Sequence, residues 1–258
     1  MVKIDFYYWG VQCPHNEKIK NLLLSFKNNK KYHINFYDVS ESHKVAKKIN
    51  MYSPSLLIFN EKYRWNGPIT KSKIQEIGKG NYPNKKPYTV KLSNESVTGK
   101  IRKLTEERVL DTYKPCGISS VNKGCCVSKG KWIKKIRNKY NIPYLGMLHY
   151  VDGECVGGAE FVPSLEVPYS IPKNKDIAFL TCSFLSDNEF DYRSLPLEKL
   201  EKKLPEMGFR ELIAVVSEQV VFPNGTLEWF INKNYKDLGN FHYEKNDFAK
   251  MHLVKKKL

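Results

Sequence analysis

The first 80 residues switch repeatedly between two hydrophobic periods. Lys3-Ile-Asp-Phe-Tyr-Tyr-Trp9 and His33-Ile-Asn-Phe-Tyr-Asp-Val39 read as strands, and Met51 to Phe59 is a third, entered through Ser53-Pro54. Gly10 to Pro14 breaks the first strand, and Ile19, Leu22, Leu23 and Phe26 then recur at helical spacing. Ser42 is placed to cap a helix through Ile49, and Thr70 to cap one through Ile77. Tyr63-Arg-Trp65 can return as a hairpin partner across Asn60-Glu61. The predicted order is βαβαββα.

Gly78 to Pro87 is polar and rich in helix and strand breakers, which makes it the best boundary in the chain. The expected organisation is a domain over 1–80, a linker over 81–88 and a domain over 89–258. The second domain opens with a strand over Tyr88 to Leu92 and a helix from Glu106 to Tyr113 capped by Thr105. A basic helix from Lys129 to Tyr140 turns Trp132, Ile133 and Ile136 inward. Tyr144–Val151 and Cys155–Val162 form a hairpin across Asp152-Gly153, a favoured two-residue turn.

Ile177 to Phe184 is a mostly apolar run, long enough for a buried strand. A polar loop follows, then a helix marked by Leu197, Leu200 and Leu204 that Gly208 ends. Leu212-Ile-Ala-Val-Val216 is a second buried strand, and Ala249 to Val254 closes the chain's pattern. Apolar runs on both sides of one helix suit a sheet covered on both faces. The fold class is therefore α/β (α+β).

Composition changes this picture little. The formal charge is +16, yet only six of the 43 basic residues are Arg, the residue preferred for bidentate phosphate and base contacts. Lys and Asn enrichment looks like the composition of an AT-rich bacterial genome. The charge reads as a solvated surface, and nucleic acid is not an expected partner. No run reaches the roughly 18 apolar residues of a membrane helix. The first residues alternate like a strand and lack the apolar core of a signal peptide. Six cysteines without a dense framework point to reduced thiols and a cytoplasmic protein. Cys116, Cys125 and Cys126 lack a Cys-x-x-Cys or a His pair to complete a zinc set, so no metal is expected.

The βαβαββα order resembles thioredoxin and glutaredoxin. Cys13-Pro14-His15-Asn16 stands where that family has its active-site Cys-x-x-Cys, and Pro54 where it has a proline facing the cysteine. A thiol at a helix N-terminus is made acidic by the helix dipole, which makes Cys13 the candidate reactive thiol. Asn16 replaces the second cysteine, so only monothiol chemistry through a mixed disulfide is open. The alternative is a scaffold that no longer reacts. His15 reads as an exposed first-turn residue.

From about Thr89 to Leu258 the layout resembles the GNAT acyltransferases, on the strand–loop–helix–strand unit Asp176–Ser217, the Val156-Gly157 hairpin and Asn224…Phe230…Tyr235. The stretch from the double cysteine to the hairpin is similar to a bacterial group with a YoaP-like extension, in which a thioredoxin-like piece follows the acetyltransferase; here it precedes it. The resemblance implies an acetyl-CoA-dependent transfer to a small-molecule or peptide amine. It also implies that Ile177–Phe184 splays from Leu212–Val216 to admit the pantetheine arm on Thr181, Cys182, Ser183 and Phe184. Arg193, with the amides of Ser194 and Leu195, would take the pyrophosphate, and Asn224 belongs to the same cofactor set. Glu160 is the first choice for the base, ahead of Glu166 and His149.

Three positions depart from the pattern. Pro196 and Glu198 stand where the phosphate loop has small residues, and Phe230 stands where the general-acid tyrosine is found. A lost charge-assisted donor costs about 1.5–3 kcal/mol, or roughly one to two decades of affinity. The same residues also read as an ordinary helix start, with Ser194 as N-cap. Two functions follow: an acetyltransferase with a degenerate pyrophosphate loop, or a non-catalytic binding or regulatory protein on two retired folds, with monothiol redox chemistry at Cys13 as a further alternative.

Overall fold

The computed structural model describes residues 1–82, 92–219, 224–245 and 249–258. They divide into two units, the first taking in Met1–Pro87, Pro168–Ser170 and Glu244–Ala249, the second Tyr88–Val167, Ile171–Tyr243 and Lys250–Leu258. The two short segments in the first unit come from the stretch that the sequence assigns to the second domain.

In the first unit, β1 (Val2–Tyr8), α1 (Pro14–Leu24), β2 (Tyr32–Asp38), α2 (His43–Lys48), β3 (Ser55–Phe59), β4 (Tyr63–Asn66) and α3 (Lys71–Gly78) follow in the predicted order. The sheet runs β2-β1-β3-β4. β1 is parallel to β2 and antiparallel to β3, which is antiparallel to β4. Asn60, Glu61 and Lys62 join β3 to β4, the first two in left-handed backbone with φ of 48° and 59°. Ile4, Phe6, Ile19, Leu23, Leu57, Phe59, Ile74 and Ile77 fill the core, each contributing about 1.5–3 kcal/mol. Thr70 caps α3 through the Lys73 amide at 3.2 Å, but Ser42 makes no capping bond to α2. Glu244 lies in this unit, 2.8 Å from Arg64 Nε, and accepts from Tyr52 and Asn66.

The second unit is a seven-stranded sheet in the order β10-β11-β9-β8-β7-β6-β5. Its strands are β5 (Lys100–Lys103), β6 (Gly146–Val151), β7 (Glu154–Pro163), β8 (Ile177–Leu185), β9 (Glu211–Ser217), β10 (Lys236–Glu244) and β11 (Ala249–Lys257). Its helices are α4 (Gly124–Tyr140), α5 (Ser194–Lys203) and α6 (Leu227–Ile231). Leu212 to Ser217 are all buried, as a strand covered on both faces requires. Asp152 and Gly153 turn the β6–β7 hairpin with φ of 50° and 84°.

Several expectations change. The strand expected over Tyr88 to Leu92 lies, apart from Leu92, outside the described residues. The helix expected over Glu106–Tyr113 is only a 3-10 turn, Val109–Tyr113. Thr112 Oγ1 bonds the Val109 carbonyl at 2.7 Å, a local alternative to helix propagation. The basic helix begins at Gly124, five residues before Lys129, because Cys125 and Cys126 are buried and extend its apolar face. β5 and β10 are largely exposed and mark the two sheet edges, so neither shows the apolar alternation of a half-buried strand. No helix among the described residues is long and apolar enough to cross a membrane.

Candidate active site

β8 and β9 run parallel and pair over four positions only, from Ile177↔Glu211 to Leu180↔Ala214. Beyond Leu180 the two strands part. On its other side β8 is antiparallel to β7, and the register slips there: Glu160 faces Cys182 while Phe161 faces Leu180. Thr181 is thus the extra residue of a β-bulge at the point of parting. A bulge bends and twists its strand, which opens one side of β8.

The bulge rests on a buried charge pair. Glu160 is fully buried on β7, with Oε2 at 2.5 Å from Lys129 Nζ on α4. Thr181 Oγ1 lies 2.8 Å from Glu160 Oε1 and 3.1 Å from its carbonyl. Glu160 therefore does not face an open cleft as the sequence reading had it; it is a sealed, paired carboxylate. The other two base candidates are also engaged. Glu166 is bound by Lys139 at 2.6 Å and by the Tyr140 hydroxyl at 3.0 Å. His149 is buried with Nδ1 at 3.3 Å from the Tyr192 carbonyl, and burial holds its pKa below the usual histidine value.

Asn224 closes the apex of the parting. Its Nδ2 donates to Leu180 O at 3.2 Å and Val215 O at 3.0 Å, one on each strand, and its Oδ1 accepts from Ser183 N at 3.0 Å. A side-chain amide thus occupies the strand amide that faces the opening. Phe184 packs its ring against Gly158, where an added Cβ would come within 2.5 Å of the ring. Cys182 is half-buried.

The start of α5 is filled in the same manner. Asp191 Oδ1 accepts from the amides of Arg193 and Ser194, each at 3.1 Å, and Oδ2 bonds the Ser194 hydroxyl. Asp191, not Ser194, is the capping side chain; Ser194 is already the first helical residue. Burial acts to raise the Asp191 carboxyl, but the hydrogen bonds from Ser194 and Arg193 outweigh it and the net direction is downward. The Arg193 guanidinium is buried, 4.3 Å from the Trp229 ring, and Nη1 donates to the Asn224 carbonyl at 3.3 Å. Pro196 and Leu197 are buried in the first turn, and Leu195 is half-buried. Glu198 points to Lys233 at 3.5 Å. Phe230 is fully buried between Trp229 and Tyr235, and the Tyr235 hydroxyl is bound to Glu201 at 2.7 Å.

In the first unit Cys13 is the N-cap residue of α1 with extended φ and ψ of −107° and 130°. The Asn16 side chain, where a second thiol would stand, donates to Gly10 O at 3.0 Å and Trp9 O at 3.3 Å. Pro54 O accepts from Trp9 N at 2.9 Å, which ties the proline to the Cys13 loop. Tyr169 packs edge-on to Trp9 at 5.6 Å, and burial, with Cys13 beside it, holds its phenol well above the usual range. The other thiols with a defined shift are pushed up by burial: Cys126 to about 11, Cys155 to about 12, and Cys116 upward.

The sequence reading missed Lys129, Asp191 and a Glu218–His252–Asp237 chain. Lys129 stands three and four residues before Trp132 and Ile133, so the helical period already placed it on the buried face. Asp191 stands three before Ser194, the spacing of a side-chain cap. His252 reaches Asp237 at 2.9 Å and Glu218 at 3.1 Å, joining residues far apart in sequence, and nothing local announces it.

No family model and no curated protein matches the chain. Among solved structures, a ribosomal-protein-alanine N-acetyltransferase from Brucella melitensis is similar at 16% identity with a TM-score of 0.45, over 62% of this chain and 99% of that one. PaiA N-acetyltransferase from Thermoplasma acidophilum, solved with coenzyme A, gives 16% and 0.40 over 63% and 100%. An N-acetyltransferase from Staphylococcus aureus Mu50 gives 14% and 0.45 over 62% and 99%. Scores below 0.5 at such identities do not place the chain in a family.

Proposed function

We propose that the second unit is a GNAT-type acyltransferase that takes acetyl-CoA at the parting of β8 and β9 and acetylates a small-molecule or peptide amine. The observation that supports this most is the four-residue limit of the β8–β9 pairing, with the bulge at Thr181 where the strands separate. The resemblance implies that these two strands splay, and their parallel pairing ends at Leu180↔Ala214.

The residues fit the cofactor unevenly. At the strand end, Asn224 already gives Ser183 N an amide carbonyl, the group that a pantetheine amide would supply. The helix start does not fit a pyrophosphate as it stands, because the Asp191 carboxylate holds the amides that an anion would use. Acetyl-CoA affinity weaker than about 1 µM follows, from one or two decades lost. The same occupancy, with Phe230 in place of a hydroxyl, favours a second reading: a binding or regulatory protein that performs no transfer.

The first unit is proposed as a thioredoxin-like domain, supported by its β2-β1-β3-β4 order and by Cys13 at the α1 N-cap, in a cytoplasmic, YoaP-like bacterial protein with its two modules inverted. Its chemistry would be monothiol, since Asn16 offers no resolving sulfur. Calorimetric titration with acetyl-CoA tests the main reading. Saturable heat with a dissociation constant above the micromolar range supports it, and no heat at all would leave the binding-protein reading in its place.

A further inference from the structure

A cavity of about 520 Å³ in the second unit has Thr98, Lys100, Arg102, Arg108, Tyr150 and Asp152 in its lining and none of the residues named above at the parting of β8 and β9. It is built where β5 pairs with β6, Lys100 opposite Tyr150, beside the Asp152–Gly153 turn.

Its charge is the reason to assign it. Of the six arginines, Arg64 and Arg137 are ion-paired and Arg193 is buried under Trp229. Arg102 and Arg108 have no ion pair among the described residues, yet both line this one cavity, with Lys100 as a third cation. Asp111 and Asp152 are the acidic members. Asp111 accepts the Tyr150 hydroxyl at 2.5 Å, and the Tyr150 ring lies 5.6 Å from the Arg102 guanidinium carbon. The carboxylate thus fixes the tyrosine, and the tyrosine fixes the arginine. A guanidinium held over a ring at this distance keeps N–H groups for an acceptor.

We propose that this cavity binds a small organic oxyanion, a carboxylate or a phosphate ester, through Arg102 and Arg108, with Lys100 adding charge. Its volume is in the range of small-molecule pockets, roughly 300–1,000 Å³, and exceeds what a bare ion needs. The assignment does not depend on acyl transfer.

Calorimetry of the full chain at about 150 mM salt, with succinate in one arm and glycerol phosphate in the other, separates the two sources. Saturable binding of one of them is expected, weakened about tenfold or more by Arg102→Gln or Arg108→Gln, the loss of one charge-assisted contact. Arg210→Gln is the control: it removes the same charge from an exposed position outside the cavity and should change affinity by less than about twofold. Amide shifts of the unsubstituted chain give a readout that does not depend on any variant folding, and Thr98, Gly99 and Gly153 should move with the titration. Absence of saturable binding by either anion, equal weakening by Arg210→Gln, or shifts confined to other residues would each overturn the proposal.

Discussion

Replacing Asp191 by Asn separates the two things this side chain does. As an acceptor it serves the amides of Arg193 and Ser194, and as a charge it sits at the helix start where a pyrophosphate would come. Asn is nearly as good a cap, so stability should fall by less than about 1 kcal/mol, against 0.5–2 kcal/mol for complete loss in Asp191→Ala, roughly. Removing one negative charge at roughly 6 Å from a phosphate, with an effective dielectric of about 40 between protein surface and water, is worth about 1.4 kcal/mol. Acetyl-CoA should therefore bind Asp191→Asn about tenfold more tightly than the parent. The Pro196→Gly, Glu198→Gly double variant should tighten it too, chiefly through the regained amide at position 196, because the Glu198 charge already faces Lys233. Isothermal titration calorimetry gives the affinities and thermal unfolding confirms that the cap survives. Unchanged affinity in a fully folded Asp191→Asn protein would refute the reasoning, since the α5 start would then not be the phosphate end of the site.

Three further outcomes are expected. Lys129→Met should destabilise the protein by about 3–5 kcal/mol, because it strands the buried Glu160 carboxylate, and adding Glu160→Gln should restore much of that; denaturant unfolding of the single and double variants checks it, and a single variant as stable as the parent would contradict it. Limiting alkylation at neutral pH, read by peptide mass spectrometry, should mark Cys13 ahead of Cys116, Cys126 and Cys155, whose thiols burial pushes up; earlier labelling of any of these would make Cys13 a bystander. His149 has a folded pKa below its ordinary 6.5, so the unfolded chain takes up a proton that the folded one refuses. Its contribution to stability is present above pH 6.5 and is lost as pH falls toward the lower folded value, and His149→Gln should flatten that part of the stability–pH curve; an unchanged slope would remove histidine burial as its cause.

Periodicity made most of the fold legible in the sequence. The first unit came out element by element because its strands and helices each bury one face, and Asn60, Asp152 and Gly153 are residues suited to the left-handed backbone of their turns. β5 and β10 stayed hidden since exposed edge strands carry no apolar alternation, and the 3-10 turn at Val109 replaced a helix because Thr112 bonds its own backbone. The candidate site was legible as a place but not as a set of partners. Thr181 to Phe184, Arg193 to Leu195 and Asn224 were named from the sequence, and the structure links Ser183, Arg193 and Ser194 through Asn224 and Asp191, while Thr181 bonds Glu160 at the bulge. Their occupation by Asp191 and Asn224 is a matter of side-chain direction, and the sealing of Glu160 depends on Lys129, which a charge count treats as solvated surface.

The parting of β8 and β9 is tested most directly at the Ser183 amide. That N–H faces the opening and is bound at 3.0 Å by Asn224 Oδ1. If acetyl-CoA enters between the strands, its pantetheine amide must replace Asn224 there, and the Ser183 backbone amide and Asn224 side-chain amide resonances should shift together, saturably, as acetyl-CoA is added to the isotope-labelled protein. Shifts elsewhere with these two signals stationary at saturating acetyl-CoA would contradict the account, because the ligand would then be bound outside the parted strands.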